Sequence, residues 1–241
     1  MLGSLFITLR EGFEAALVIG IVLAYLQQVG AGDRARAVWA GVAAAVVASV
    51  AMGAVIFLSG NRLEGSAEAL YEATAMLLAA GVLTWMIFWM QRQARSLGSQ
   101  LRRRVSTALV VGGAALFWLA FVSVAREGVE TALFLYAATE KDSAATTVVG
   151  GLLGLGLAVA LGMIVYRSGR RIPLHHFFRA TSVILLAFAA YLLAGGLNEL
   201  GEVAGNEALE EGGLIIALLY VIGTVWMYLR PPAVLARALN R

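Results

Sequence analysis

Seven stretches of this chain, at about 3–28, 37–59, 68–91, 107–139, 146–166, 178–197 and 213–229, are each apolar for long enough to cross a lipid bilayer. A helix needs roughly 20 such residues to span the hydrocarbon core, where no backbone polar group can go without a partner. The three prolines, Pro173, Pro231 and Pro232, all fall outside these runs, as uninterrupted helices require. The whole chain of 241 residues is 61% hydrophobic and 14% charged, outside the usual range for a soluble domain. The expectation is an all-α polytopic membrane protein with seven transmembrane helices, a single membrane domain over 1–241 and no second, soluble domain. The first run carries charges and has no basic stretch ahead of it, so it reads as the first transmembrane helix and not as a cleaved secretory signal. The chain has no cysteine, which excludes disulfides and thiolate metal sites.

Arginine placement orients the spans, because cytoplasmic loops collect Lys and Arg. Arg34 and Arg36 follow the first span, and Arg92, Arg95, Arg102, Arg103 and Arg104 lie between the third and fourth. Arg167, Arg170 and Arg171 separate the fifth and sixth, and Arg230, Arg237 and Arg241 follow the seventh. The opposite loops hold only Arg62 and Lys141 but gather Glu64, Glu68, Glu140, Asp142, Glu199, Glu202, Glu207, Glu210 and Glu211. The N-terminus is therefore expected outside and the C-terminus in the cytoplasm, with an acidic outer face that would concentrate cations.

Within the first span sits REGFE, residues 10–14, and it returns as REGVE at 126–130 in the fourth. The offset of 116 residues covers three spans. An odd number of helices per repeat reverses the second copy, so the expected topology is an inverted repeat of helices 1–3 (about 1–91) and 4–6 (about 105–200), with helix 7 (about 213–229) added. In such folds the substrate site lies near the bilayer midplane, where the repeats meet. Both motifs fall roughly 8–12 residues, or about 12–18 Å, from the outer ends of their helices.

Glu11 and Glu14 are three residues apart and share a helix face, as do Glu127 and Glu130. Arg10 to Glu14 and Arg126 to Glu130 have the spacing of an i,i+4 ion pair, so each arginine can hold one carboxylate. Two carboxylates from each of two facing helices would form an oxygen cage, and Gly12 and Gly128 would let helices approach closely. A charge at the bilayer centre costs about 2.5–3.5 kcal/mol on insertion scales, so six charges need a common reason. Buried Arg–Glu bridges that only fix packing would not need the surplus acid in each motif. Four glutamates against two arginines leave a formal charge of −2, which favours a polyvalent cation. Carboxylate oxygen is a hard ligand, leaving iron, manganese, magnesium, calcium or protons alone as candidates. A metal entering such a cage should displace protons.

Twin R-E-G-x-E motifs on helices 1 and 4 of a seven-helix protein resemble the oxidase-dependent iron permeases, the iron transporters of fungi and bacteria. The similarity runs over nearly the whole chain, including EGSAEALYEATAMLLAAGVLTWMIFWM at 64–90 and NELGEVAG at 198–205. The resemblance implies an iron permease of the cytoplasmic membrane, with ferric iron delivered by an outside oxidase or iron-binding protein. It also implies that Glu11, Glu14, Glu127 and Glu130 are the iron ligands and that Arg10 and Arg126 are their essential companions. Iron is then the transported substrate, no prosthetic group is expected, and the chain is not an enzyme.

Other groups are weaker candidates. Glu68, Glu72, Glu199 and Glu202 lie near the outer ends of the third and sixth spans and read as capture or relay ligands, against the alternative of solvated loop acids. Glu72 stands out because it lies inside an apolar run. His175 and His176 follow Pro173 in a basic loop, and two histidines alone make an incomplete metal site. Gly150, Gly154, Ala158 and Gly162 form a small-residue stripe suited to close packing, either within the chain or between copies in a homo-oligomer. Trp85, Trp89, Trp226 and Tyr228 fit an interfacial aromatic belt, and the LRRR run at 101–104 fits an orientation signal or an anionic-lipid contact. An intramembrane enzyme acting on a lipid phosphate is the main rival. It would need net positive charge and a nucleophile, whereas here acids outnumber arginines and the neighbours are Gly, Ala, Phe and Val. A carrier for another divalent ion such as manganese is the second rival.

Overall fold

The computed structural model describes residues 1–60, 63–93, 97–139, 143–168 and 174–229. Arg62, Arg95, Glu140, Lys141, Asp142, Arg170, Arg171, Pro173, Arg230, Pro231, Pro232, Arg237 and Arg241 lie outside the described residues. The side chains of Arg92, Arg167, His175, His176, Glu207, Glu210 and Glu211 lie outside them too. The described residues are all-helical, with no strand. They form α1 (Leu2–Gln28), a short 3-10 turn (Gly32–Arg34), α2 (Ala35–Gly60), α3 (Ser66–Gln93), α4 (Leu97–Val111), α5 (Gly113–Thr139), α6 (Ala144–Ser168), α7 (Leu174–Ala204) and α8 (Glu207–Leu229).

Four of these helices contain stretches long and apolar enough to cross a membrane: Gly32–Gly60, Ser66–Gln91, Ala144–Ile164 and Phe177–Ala204. α1 and α5 are equally long, at 27 residues each, but carry the twin motifs in mid-helix, and the apolar part of α8, Gly212–Tyr228, is shorter. Leu26 accepts from the N–H of Ala31 at 2.9 Å where Gly30, at φ 73°, turns the chain out of α1. A left-handed residue there satisfies a carbonyl the helix end would otherwise leave bare.

The expected fourth span, 107–139, is not one helix. It breaks at Gly112, whose φ of 124° only a residue without Cβ adopts freely, and the spanning-length part starts at Gly113. The residues before the break belong to α4, so LRRR is helical and not a loop. Leu101, Val105 and Ala108 recur at helical spacing and are buried against a cluster that includes Val22, Leu26, Val38, Leu116 and Ala120. Arg102, Arg103 and Arg104 are exposed.

Helix partners follow a pattern. α1 packs along α6 and α2 along α5, α1 meets α5, α3 meets α7, and α3 also touches α5 as α1 touches α7. Exchanging α1, α2 and α3 with α5, α6 and α7 leaves these pairings unchanged. α8 packs on α7 alone among its extensive contacts.

Small residues set the tightest pairs. A Cβ on Gly154 would land on the Leu5 carbonyl oxygen and Thr8 Oγ1, and one on Gly162 would lie 2.7 Å from Ala16 Cβ. The stripe at 150–162 therefore seats α6 on α1, within the chain. Gly41, Ala45, Ser49 and Gly53 form an equivalent four-residue stripe on α2 against α5, which the sequence reading overlooked. Here Gly41 meets the Phe117 carbonyl. Gly12 and Gly128 also serve these pairs rather than drawing α1 to α5: a Cβ on Gly12 would lie 2.9 Å from Ala158 Cβ, and one on Gly128 would collide with Ser49.

The aromatic belt is only partly borne out. Trp85 and Trp226 are exposed, but Tyr228 is buried against Phe88, and Gln91 Nε2 donates to its carbonyl at 3.1 Å. Trp89 faces the arginine of the second motif instead. Large exposed apolar side chains cover the outer faces of α2, α6 and α8, among them Val47, Val50, Leu152, Leu214 and Ile215. The buried interior meanwhile holds Arg10, Glu11, Glu14 and Glu127. Charge inside and hydrocarbon outside is the distribution expected where lipid is the solvent.

Candidate metal site

The two motifs arrive side by side because α1 crosses α5 between the tightly seated pairs α1–α6 and α2–α5. Arg10 and Glu11 are fully buried, and Glu14 and Glu127 are nearly so. Carboxylate oxygens of Glu11, Glu14 and Glu127 all lie within 4.8 Å of one another. Among the described residues this is the one such convergence of His, Cys, Asp or Glu.

Helical periodicity explains why α1 gives two ligands. Glu11 and Glu14 are three residues apart, about 60° around the helix, so both reach the same neighbour. Arg10 Nε lies 3.2 Å from Glu14 Oε1, which realises the expected i,i+4 pair. The contact is an ion pair without hydrogen-bond alignment, since neither atom has a hydrogen-bond partner.

The second motif departs from expectation. Arg126 hydrogen-bonds the adjacent Glu127 Oε1 through both Nε, at 3.1 Å, and Nη2. Its i,i+4 contact, Nε to Glu130 Oε1, is longer at 3.7 Å. The guanidinium also sits over the Trp89 ring, 5.4 Å from its centroid, a contact made outside the motif. Glu130 is partly buried and stands beside the three-carboxylate convergence of Glu11, Glu14 and Glu127.

What the triad lacks is donors. Both oxygens of Glu11, Oε1 of Glu14 and Oε2 of Glu127 are buried with no hydrogen-bond partner, and so is Oε2 of the adjoining Glu130. A buried carboxylate without a donor costs a desolvation penalty that a cation or proton would relieve. Hard oxygen ligands from two helices, with no nitrogen or sulfur among them, suit a hard or borderline cation.

A cavity of roughly 210 Å³ adjoins the triad, and its lining includes Glu14, Glu127, Arg126, Trp89, Gln100 and Arg104. Arg104 was legible only as part of a basic tract and Trp89 only as a belt residue, and Gln100 not at all. No motif signal ties them to the site, because the break at Gly112 is what folds α4 back toward it. The outer acids stay apart from the triad. Glu64 and Glu68 are exposed, Glu72 and Glu199 are partly buried on α3 and α7, and Glu202 is exposed. The described residues join them into no metal-holding group.

A family model for the iron permease FTR1 family matches residues 1–228. Among individual proteins, the chain is 39% identical over 212 residues to an uncharacterised protein of Archaeoglobus fulgidus, covering 87% of this chain and 74% of that one. It is 37% identical over 199 residues to a ferrous iron permease EfeU of Escherichia coli O157:H7, covering 81% of this chain and 72% of the relative. A ferrous iron permease EfeU of Yersinia pestis is 36% identical over 199 residues, with 81% and 71% covered. No solved structure matches.

Proposed function

The chain belongs to the iron permease FTR1 family, and we propose that it imports iron across the cytoplasmic membrane through the triad Glu11, Glu14 and Glu127, with Glu130 as an adjoining relay acid. The observation that carries this reading is the set of buried carboxylate oxygens, drawn from two helices, that lack any hydrogen-bond donor. Arg10 and Arg126 hold these acids in place while the site is empty of cation.

In this reading α1, α2, α3, α5, α6, α7 and α8 cross the bilayer, with the N-terminus outside and α4 lying along the cytoplasmic face. At 23 residues the shortest of them, α8, is about 34 Å long at 1.5 Å per residue, enough for a core of about 30 Å. The exchange-invariant helix pairing supports an inverted repeat of α1–α3 and α5–α7, with α8 added, in one membrane domain. An outside oxidase or iron-binding protein would meet the face bearing the exposed acids Glu64, Glu68 and Glu202, and Glu72 and Glu199 would pass the ion inward.

The motif resemblance implies ferric iron, whereas the bacterial relatives are named for ferrous iron. Charge favours the ferrous ion at the triad. With Glu130 and both arginines the cluster carries a formal −2, which a divalent ion neutralises and a trivalent ion overshoots. An inside-negative potential then assists import by about 2.3 kcal/mol per charge per 100 mV.

The test is iron-55 uptake into proteoliposomes, with ferrous iron held by ascorbate, ferric iron offered as citrate in parallel, and manganese as competitor. Glu14→Gln and Glu127→Gln should each lose most uptake at equal folded protein. Retained uptake in both would make the motifs structural. Uptake of the ferric form alone would restore an outside oxidase to the mechanism, and strong competition by manganese would change the substrate.

A further inference from the structure

The cavity beside the triad is lined by both signs of charge. Glu14 and Glu127 line it, and so do Arg126, which bonds Glu127, and Arg104. Arg104 is brought there by α4, whose buried Leu101 and Val105 fix the helix against the bundle. Among the described residues no carboxylate pairs with Arg104, while Arg126 is about half exposed and offers its free edge to the cavity. A bare cation leaving the triad by this route would have to pass two guanidinium groups. An oxyanion carrying the cation would be attracted by the same groups.

We propose that this vestibule docks a small chelating oxyanion, a polycarboxylate or polyphosphate, which takes iron from the triad as the ion leaves. The inference rests on the reading of the triad as the transport site. The anion's charged oxygens would pair with Arg104 and Arg126. Other oxygens of the anion would reach Glu14 and Glu127, which line the same cavity and hold the metal. The volume of roughly 210 Å³ holds about seven waters, comparable to a small tricarboxylate. Ligand exchange then replaces the oxygens of Glu14, Glu127 and finally Glu11, one after another, with oxygens of the acceptor or water, and neither the oxidation state of the metal nor any covalent bond changes.

The experiment uses the full chain in phosphatidylcholine nanodiscs, loaded with ferrous iron-55 and diluted into rising citrate. The first-order release rate should climb by at least about fivefold and saturate. A chelator that only captures ion already released cannot produce this behaviour. Arg104→Gln should release iron at the basal rate whatever the citrate concentration, and Arg104→Lys should keep part of the response. A wild-type rate independent of citrate, or an undiminished response in Arg104→Gln, overturns the proposal. Discs containing phosphatidylglycerol form the second arm. Loss of the citrate response there, in wild type, would assign the arginines to a lipid phosphate and overturn the acceptor role. Failure of the wild type to retain iron before dilution would overturn the triad reading itself, and this proposal with it.

Discussion

Replacing Glu11 with glutamine should make the iron-free protein more stable and the iron-loaded protein less so. Glu11 is fully buried, neither of its oxygens has a hydrogen-bond donor, and it lies within 4.8 Å of carboxylate oxygens on both Glu14 and Glu127. Two unit charges at that separation repel by about 3.5 kcal/mol at an effective dielectric of 20. Glutamine removes two such repulsions and gives up the attraction of Arg10, so the net gain is at most about one pair, or about 3.5 kcal/mol. Protons shared among the acids reduce it further, and at about 2–4 °C per kcal/mol for a chain this long a rise of several degrees in Tm is expected. Iron at 100 times its Kd should stabilise the wild type by about 2.7 kcal/mol, and the variant, short of one ligand, by much less. The assay is thermal unfolding in detergent with and without ferrous iron under ascorbate. A Tm below wild type in the absence of metal would refute the reasoning, since it would mean that Glu11 holds the fold together and is not a ligand kept in reserve.

Because Glu130 lies outside the triad, Glu130→Gln should keep a larger share of iron-55 uptake than Glu127→Gln; equal losses would put it back among the ligands. Gly154→Val must push α1 off α6, since its Cβ meets the Leu5 carbonyl, and overpacking of this kind costs about 1–3 kcal/mol. Its Tm should fall and the triad should loosen with it, whereas the same change at Gly156, which has open space around it, should leave both unchanged. Iron and protons compete for the same buried carboxylates, so binding to purified protein in weak buffer should release protons, read with a pH indicator dye. Trp89→Leu removes the ring under Arg126 and should let the guanidinium swing back toward Glu130, slowing uptake without unfolding the protein. A normal uptake rate would show that the ring does not set the arginine's position.

Much of the candidate site was legible before any coordinates. Charge inside a span is costly enough that REGFE and REGVE had to be satisfied by one another, and periodicity alone put Glu11 and Glu14 on one face. The sequence also determined the all-helical class, because hydrocarbon thickness and backbone hydrogen bonding leave a chain of this composition few alternatives. Tertiary structure decided the rest. Residues 107–139 read as one apolar run because hydropathy does not register a backbone angle, yet the positive φ at Gly112 breaks it and folds α4 against the bundle. Glu130 had the same motif position as Glu14, yet Arg126, beside Trp89 of another helix, bonds the adjacent Glu127, and Glu130 stands beside the triad. A small-residue stripe states that something packs closely and not what, and only the assembled helices showed α6 seated on α1 and α2 on α5. Short-range spacing is written in the chain because a helix has a fixed pitch. Which side chain faces which neighbour is not, because it depends on the rotation of each helix about its own axis, and that is fixed only when all of them pack together.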